Sequence, residues 1–171
     1  MKNTNVRFLT RTGILLALTL LFQFFGRYIP LGPNSSFIVG PFVNATLIIA
    51  TTFAGIWSGT AIAILAPFGA VLTGAAVPLP FVPFIATGNF IFVLFYYLLK
   101  KNRLLGLATG SLLKFGFLFA SIAAFLNLSK VPSKLAAALY FTFSWPQLVT
   151  AVLGSILSLI VIKALEKTVK I

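Results

Sequence analysis

Apolar residues run through this chain in long blocks, and the polar residues gather between them. A membrane-crossing helix needs roughly 20 mostly apolar residues. Six stretches meet that length, about 9–29, 38–56, 58–75, 82–100, 104–126 and 145–165. The pattern predicts an all-α integral membrane protein with six transmembrane helices, forming a single domain over residues 1–171. A tight turn is expected at Ile56 to Gly59, between the second and third helices. Two connections are longer, "RYIPLGPNSSFIVGP" after the first helix and "NLSKVPSKLAAALYFTFSWP" before the sixth. The latter has room for a short helix lying along the membrane surface. The first apolar block, from Ile14 onward, is long enough to span, and no small-residue cleavage site follows it, so no cleavable signal peptide is expected.

Composition agrees with the pattern. The chain is 60% hydrophobic and 8% charged, whereas soluble domains are about half apolar and about a quarter charged. Thirteen Lys and Arg face one acidic residue, for a net charge of +12. In a soluble protein that balance would suggest nucleic acid. Here the basic residues cluster between apolar blocks, which fits membrane topology and anionic lipid instead. Lys2, Arg7, Arg11, Lys100, Lys101, Arg103, Lys163, Lys167 and Lys170 fall on the side of the termini, and Arg27, Lys130 and Lys134 on the other. This bias predicts a multi-pass protein of the plasma membrane with both termini cytoplasmic. Tyr96 and Tyr97 then lie at the inner interface, with Tyr28 and Trp145 at the outer one.

The inventory of reactive groups is short. Cysteine and histidine are absent, and Glu166 is the only acidic side chain. Glu166 sits among Lys163, Lys167 and Lys170, and its spacing predicts a helix-end ion pair with Lys170. General acid–base catalysis, zinc ligation and cysteine attack lack their residues, so no metal site and no enzyme activity are expected. Ser111 and Lys114 could form a Ser–Lys pair, but a hydroxyl bonded to a local backbone carbonyl is the simpler reading. No GxxxxGK[ST] loop is present to bind ATP. Ion-coupled carriers place Asp, Glu or His within the membrane, and only Lys114 could titrate at that depth. These absences point to a channel, a passive carrier or one subunit of a larger machine.

Polar residues in the apolar blocks mark candidate sites. The second, fourth and sixth helices each open with a proline near an amide: "GPFVNA" (Pro41, Asn44), "VPFIATGN" (Pro83, Asn89) and "SWPQ" (Pro146, Gln147). Proline suits the first helical turn, which predicts the amides within the first two turns, in the outer half of the bilayer. Lys114, in "GSLLKFGFLF", lies roughly 18 Å from the outer end of its helix at about 1.5 Å per residue. That is deeper than the amides, but a long side chain can reach upward. Ser111, Lys114 and Ser121, with Gly110, share one face, which turns Lys114 into the bundle. Each amide could instead make a helix–helix hydrogen bond, and the lysine could bind backbone carbonyls. A ligand carboxylate would equally satisfy an ammonium that has no acidic partner. The candidate ligand set is Asn44, Asn89, Lys114 and Gln147, with Phe42 and Trp145 as aromatic walls. Small-residue pairs recur at Gly13 and Ala17 and again at Gly59, Ala63, Ala66 and Ala70. Such pairs allow close helix packing within the chain or docking of another membrane protein.

Three stretches carry a family likeness: "RFLTRTGILLALTL", "VGPFVNATLIIATTFAGIWSGTAIAILAPFGAVLTG", and "PFVPFIATGNFIFVLFYYLLKKNRLLG" followed by "SLLKFGFLF". With its size and six predicted helices, the chain resembles the S components of energy-coupling factor (ECF) vitamin transporters. The resemblance implies high-affinity binding of one vitamin or cofactor precursor in a pocket open to the outside. It also implies a gate in the first outer loop, Tyr28 to Gly40, including Asn34. The docking motif of the family, Ala-xxx-Ala in the first helix, corresponds here to Gly13 and Ala17, with glycine in place of the first alanine. Docking would be to a membrane T component driven by two cytoplasmic ATPases, which use the ATP; this chain binds no cofactor itself. The S component would topple in the membrane to release its cargo. A cationic ligand would find no counter-charge among these residues. A small ligand with a carboxylate and an apolar body fits better, lipoate first and pantothenate second. A neutral pyridoxine- or ribazole-like precursor stays open if Lys114 is structural. The alternative reading is a passive oligomeric channel or facilitator.

Overall fold

The computed structural model describes residues 2–26, 28–74, 79–129 and 131–168. They form seven α-helices: α1 (Lys2–Gly26), α2 (Ser36–Ala54), α3 (Ile56–Leu72), α4 (Val82–Leu98), α5 (Arg103–Leu128), α6 (Ser133–Thr142) and α7 (Trp145–Thr168). Short 3-10 turns at Gly32–Ser35 and Leu79–Phe81 lead into α2 and α4. Five stretches are long and apolar enough to cross a membrane, one each around α1, α2, α4 and α5 and one over α6 and α7 together. α3 is a shorter apolar helix of 17 residues, roughly 26 Å at about 1.5 Å per residue, a little less than the ~30 Å hydrocarbon core. The short α6 falls within the long connection before the sixth predicted helix.

Two local expectations are corrected. The turn between α2 and α3 is made by Gly55 alone, not by Ile56 to Gly59. Gly55 has φ 89° and ψ 174°, a conformation open almost only to glycine. Gly59 instead lies inside α3, packed against Thr51 and Val93. The proline pattern also holds at two sites of three. Pro83 and Pro146 occupy the first turns of α4 and α7. α2, however, already starts at Ser36, so Pro41 lies within the helix.

α2 is the central helix and packs on α1, α3, α4 and α7. Every residue from Asn44 to Thr51 is buried. α1 runs antiparallel to α2, with Thr19 bonded to Thr46 at 2.7 Å and the Arg11 guanidinium donating to the Phe53 carbonyl at 2.7 Å. α2 and α7 run parallel and meet where Gly40 faces Thr150 and Gly154 faces Pro41 and Asn44. α4 and α5 are antiparallel, with Gly110 against Phe92 and Gly88 against Leu118. Thr12 and Ser58 (2.8 Å) and Thr52 and Tyr96 (2.8 Å) add hydroxyl contacts between helices. Gly59, Ala63, Ala66 and Ala70 are all buried, so that small-residue run serves packing within the chain.

The first and last helices share one end of the bundle with Gly55 and the turn at 99–102. At that end the Arg103 guanidinium grips Glu166 with two bonds, Nη2 to Oε1 at 2.7 Å and Nη1 to Oε2 at 3.3 Å. Glu166 therefore pairs across helices with Arg103, and the expected ion pair with Lys170 falls outside the described residues. Antiparallel packing of α5 on α7 brings a planar, two-toothed guanidinium to the carboxylate, a geometry no lysine can match. Lys170, like Arg27 and Lys130, lies outside the described residues.

The α2–α7 crossing yields a test. A Cβ added at Gly154 would stand 2.5 Å from Asn44 Cβ and 2.7 Å from the Pro41 carbonyl oxygen, atoms too close to the backbone to move aside. Gly154→Val should cost about 1–3 kcal/mol or more, read as a lowered unfolding temperature of the purified protein in detergent. Gly116→Ala, where the added Cβ meets nothing within 4 Å, should melt like the parent. Equal melting of all three proteins would contradict the packing described.

Candidate functional site

Lys114 sits near the middle of α5 on its buried face, in line with Leu107, Gly110, Ser111 and Leu118. The opposite face, with Leu112 and Leu113, is exposed. This segregation turns the lysine inward, as its polar neighbours predict. Gly110 lets α5 approach the Phe92 backbone of α4, and Gly154 lets α7 approach Asn44 of α2. Three helices, α2, α4 and α5, thereby meet at one side chain, with α7 packed behind Asn44.

Lys114 Nζ donates to Asn44 Oδ1 at 2.6 Å and to Asn89 Oδ1 at 2.8 Å. The three residues are 3%, 2% and 2% exposed. Both asparagines lie near mid-helix, level with the lysine rather than above it, because α2 begins earlier than expected and Asn89 falls halfway along α4. An ammonium has three donors and no acceptor, so both carboxamides must offer their oxygens and turn their NH2 groups away. Charge-assisted bonds of this length are the strong kind. The Phe92 ring, its centroid 5.7 Å from Nζ, adds a cation–π contact. Two of the three ammonium donors are thus used by the asparagines among the described residues. The result is a positively charged, donor-rich cluster with neutral partners. An anionic group, carboxylate above all, is the chemistry that complements it.

The other candidate residues stand elsewhere. Gln147 Nε2 donates to the Thr142 carbonyl at 3.0 Å, tying the start of α7 to the end of α6. Trp145 is half exposed, with Phe37 at 5.4 Å and Phe141 at 5.8 Å between ring centroids. Phe42 stacks on Phe22 at 4.5 Å. Tyr28 is exposed and meets Phe24 edge-on, and the exposed Asn34 closes a turn through its backbone N–H to Leu31. None of these five bonds to the Lys114 cluster among the described residues. Trp145 lines an open apolar cavity of about 580 Å3 with Leu126, Ala136, Tyr140, Phe141 and Ser144. Gly13 and Ala17 lie on an exposed face of α1, and a Cβ added at Gly13 meets nothing within 4 Å.

Three contributors escape a reading of the chain alone. Gly154 matters because it faces Asn44, and its only trace in sequence is a small residue inside an apolar helix. Phe92 is one of nineteen phenylalanines, with nothing local to single it out. Ser155 lies opposite Ser111, hydroxyl to hydroxyl at 3.5 Å, so Ser111 faces another helix and not simply its own backbone.

The fold and this cluster define a multi-pass helical membrane protein with a cationic site at its centre. The family model for the substrate-specific component of ECF transporters matches residues 7–166. The chain belongs to that family, and it is a substrate-binding S subunit of the ECF transporter type. Comparison with curated proteins and with solved structures found no match.

A double-mutant cycle tests the cluster. With Lys114→Met, Asn44→Ala and the pair together, unfolding free energies should be non-additive by about 1–3 kcal/mol. Strict additivity would mean that the two side chains do not interact in the folded protein.

Proposed function

We propose that this chain is the high-affinity capture subunit of an ATP-driven importer for a small organic acid with an apolar body. Lipoate is the first candidate and pantothenate the second. Both termini face the cytoplasm, following the charge bias, and the ligand arrives from the opposite side. The observation that carries this reading is the buried Lys114 ammonium, held by two neutral amides in a chain whose only acid is engaged elsewhere. A ligand carboxylate accepts the remaining lysine donor and bonds from the NH2 groups of Asn44 and Asn89. The apolar cavity beside α6 and Trp145 serves as the entrance, with Tyr28 and Asn34 on the loop that gates it. The aromatic series Tyr140, Phe119 and Phe115 runs from that entrance along α5, with centroid spacings of 5.3 Å and 5.9 Å.

Energy comes from partners. A membrane T component docks on the open α1 face at the exposed Gly13 and Ala17, where no described residue comes within 4 Å of a Cβ added at Gly13. Two cytoplasmic ATPases drive that component and consume the ATP. Small residues let a partner helix approach closely, which is what such a contact in lipid requires.

Mass spectrometry of the molecule retained through purification is the decisive measurement. A small carboxylic acid is expected, and a cationic ligand would overturn the reading. Lys114→Ala should weaken binding of that ligand by roughly tenfold or more, about 1.4 kcal/mol; unchanged affinity would make the lysine structural. Gly13→Trp should preserve binding and abolish ATP-driven uptake with the T component. Uptake by the purified chain alone in liposomes would instead establish the passive facilitator.

A further inference from the structure

α1 carries a second exposed stripe, distinct from the small-residue one. It runs from Arg7 through Arg11, Ile14, Leu18 and Leu21 to Phe25, in alternating steps of four and three residues, which is one side of a helix. All six residues are exposed. Gly13 lies roughly 160° around the helix from Arg11 at 3.6 residues per turn, so the two stripes do not coincide. Twenty residues of helix cover the ~30 Å hydrocarbon core, and counting them back from Gly26 reaches Val6. Val6 and Leu9 are 61% and 70% exposed, so apolar surface runs past both arginines. Two guanidiniums therefore stand where acyl chains begin. Arg11 Nη1 donates to the Phe53 carbonyl, at the end of α2, where carbonyls lack helical partners. That bond holds Arg11 at the α1–α2 edge. It uses one of the five guanidinium donors, and Arg7 spends none on the described residues. Glu166, the only acidic side chain, is held by Arg103. The anion that Arg7 and Arg11 need must come from outside the chain.

We propose that Arg7 and Arg11 hold the phosphate of an anionic phospholipid whose acyl chains lie along Ile14, Leu18, Leu21 and Phe25. The stripe has the order of such a lipid, a charged head followed by an apolar length. Two guanidiniums one turn apart, about 6 Å along the axis, can straddle one phosphodiester, and each offers a fork that matches two phosphate oxygens. A zwitterionic lipid brings a cation of its own, which no acid is free to receive. A headgroup of net negative charge, such as phosphatidylglycerol, is therefore the better complement. In the orientation proposed above this end faces the cytoplasm, where the leaflet carries anionic lipid. The bound lipid lies beside Gly13 and Ala17, not over them, and leaves that face open. The site depends neither on Lys114 nor on a docking partner.

Native mass spectrometry of the full-length protein reads the bound lipid directly, after equilibration in micelles with equal amounts of phosphatidylglycerol and phosphatidylcholine. Phosphatidylglycerol should be retained in preference to phosphatidylcholine. Arg7 makes no hydrogen bond within the described chain, so Arg7→Gln should leave the fold intact and reduce that retention at least threefold. Arg7→Gln with Arg11→Gln should reduce it at least tenfold. Lys101→Gln with Lys163→Gln removes the same charge from exposed positions at the same end and should change it less than twofold. An equal loss in the lysine pair would make the binding a property of the whole basic end and overturn the site. Equal retention of the two lipids, or unchanged retention in Arg7→Gln, would overturn it too. The vitamin-like ligand plays no part in this measurement, so its outcome is separate from that of Lys114→Ala.

Discussion

An ammonium at the centre of a lipid-spanning bundle has to be solvated by the protein, because neither lipid nor water will do it there. Lys114 is solvated by two amide oxygens from two other helices, and that demand organises the surrounding packing. Asn44 and Asn89 must stand level with it. α4 comes close to α5 over Gly110, and α7 comes close to α2 over Gly154. Neutral partners spread the positive charge without cancelling it.

Small residues do two different jobs in the same bilayer. Gly59, Ala63, Ala66 and Ala70 are consumed inside the bundle, where they let α3 lie against its neighbours. Gly13 and Ala17 remain on an open face of α1. The chemistry of the two runs is the same, and only their placement separates internal packing from a surface fit for a partner. The threonine and serine hydroxyls divide similarly: most bond a carbonyl of their own helix, and a few also join two helices, as Thr19–Thr46 and Thr12–Ser58 do.

Much of this architecture could be read along the chain. Long apolar blocks bounded by basic residues have one solution in lipid, and the helices follow those blocks to within a few residues at most of their ends. The inward turn of Lys114 was legible because Ser111 and Gly110 share its face. The likeness to the S components rested on stretches across most of the chain, and the family match covers the same region. Less legible were features set by a single backbone choice. Gly55 makes the α2–α3 turn because its φ of 89° suits no other residue well, whereas a proline-based reading of helix starts failed at Pro41. Gln147 resembled Asn44 and Asn89 in sequence, yet it sits at a helix start and bonds the nearby Thr142 carbonyl. An amide in the first turn finds local backbone acceptors, while one at mid-helix has none free and must look across the bundle.

By itself the sequence determined that this is a helical membrane protein, that its catalytic inventory is nearly empty, and that one lysine had to face inward without an acid beside it. Those conclusions follow from composition and helical period, which are local properties. Tertiary structure alone decided which amides meet that lysine, that Glu166 is joined to Arg103 from another helix, and which small-residue face stays open. Each of these depends on the register in which helices far apart in sequence cross, and that register is set by glycine contacts and side-chain reach acting between helices.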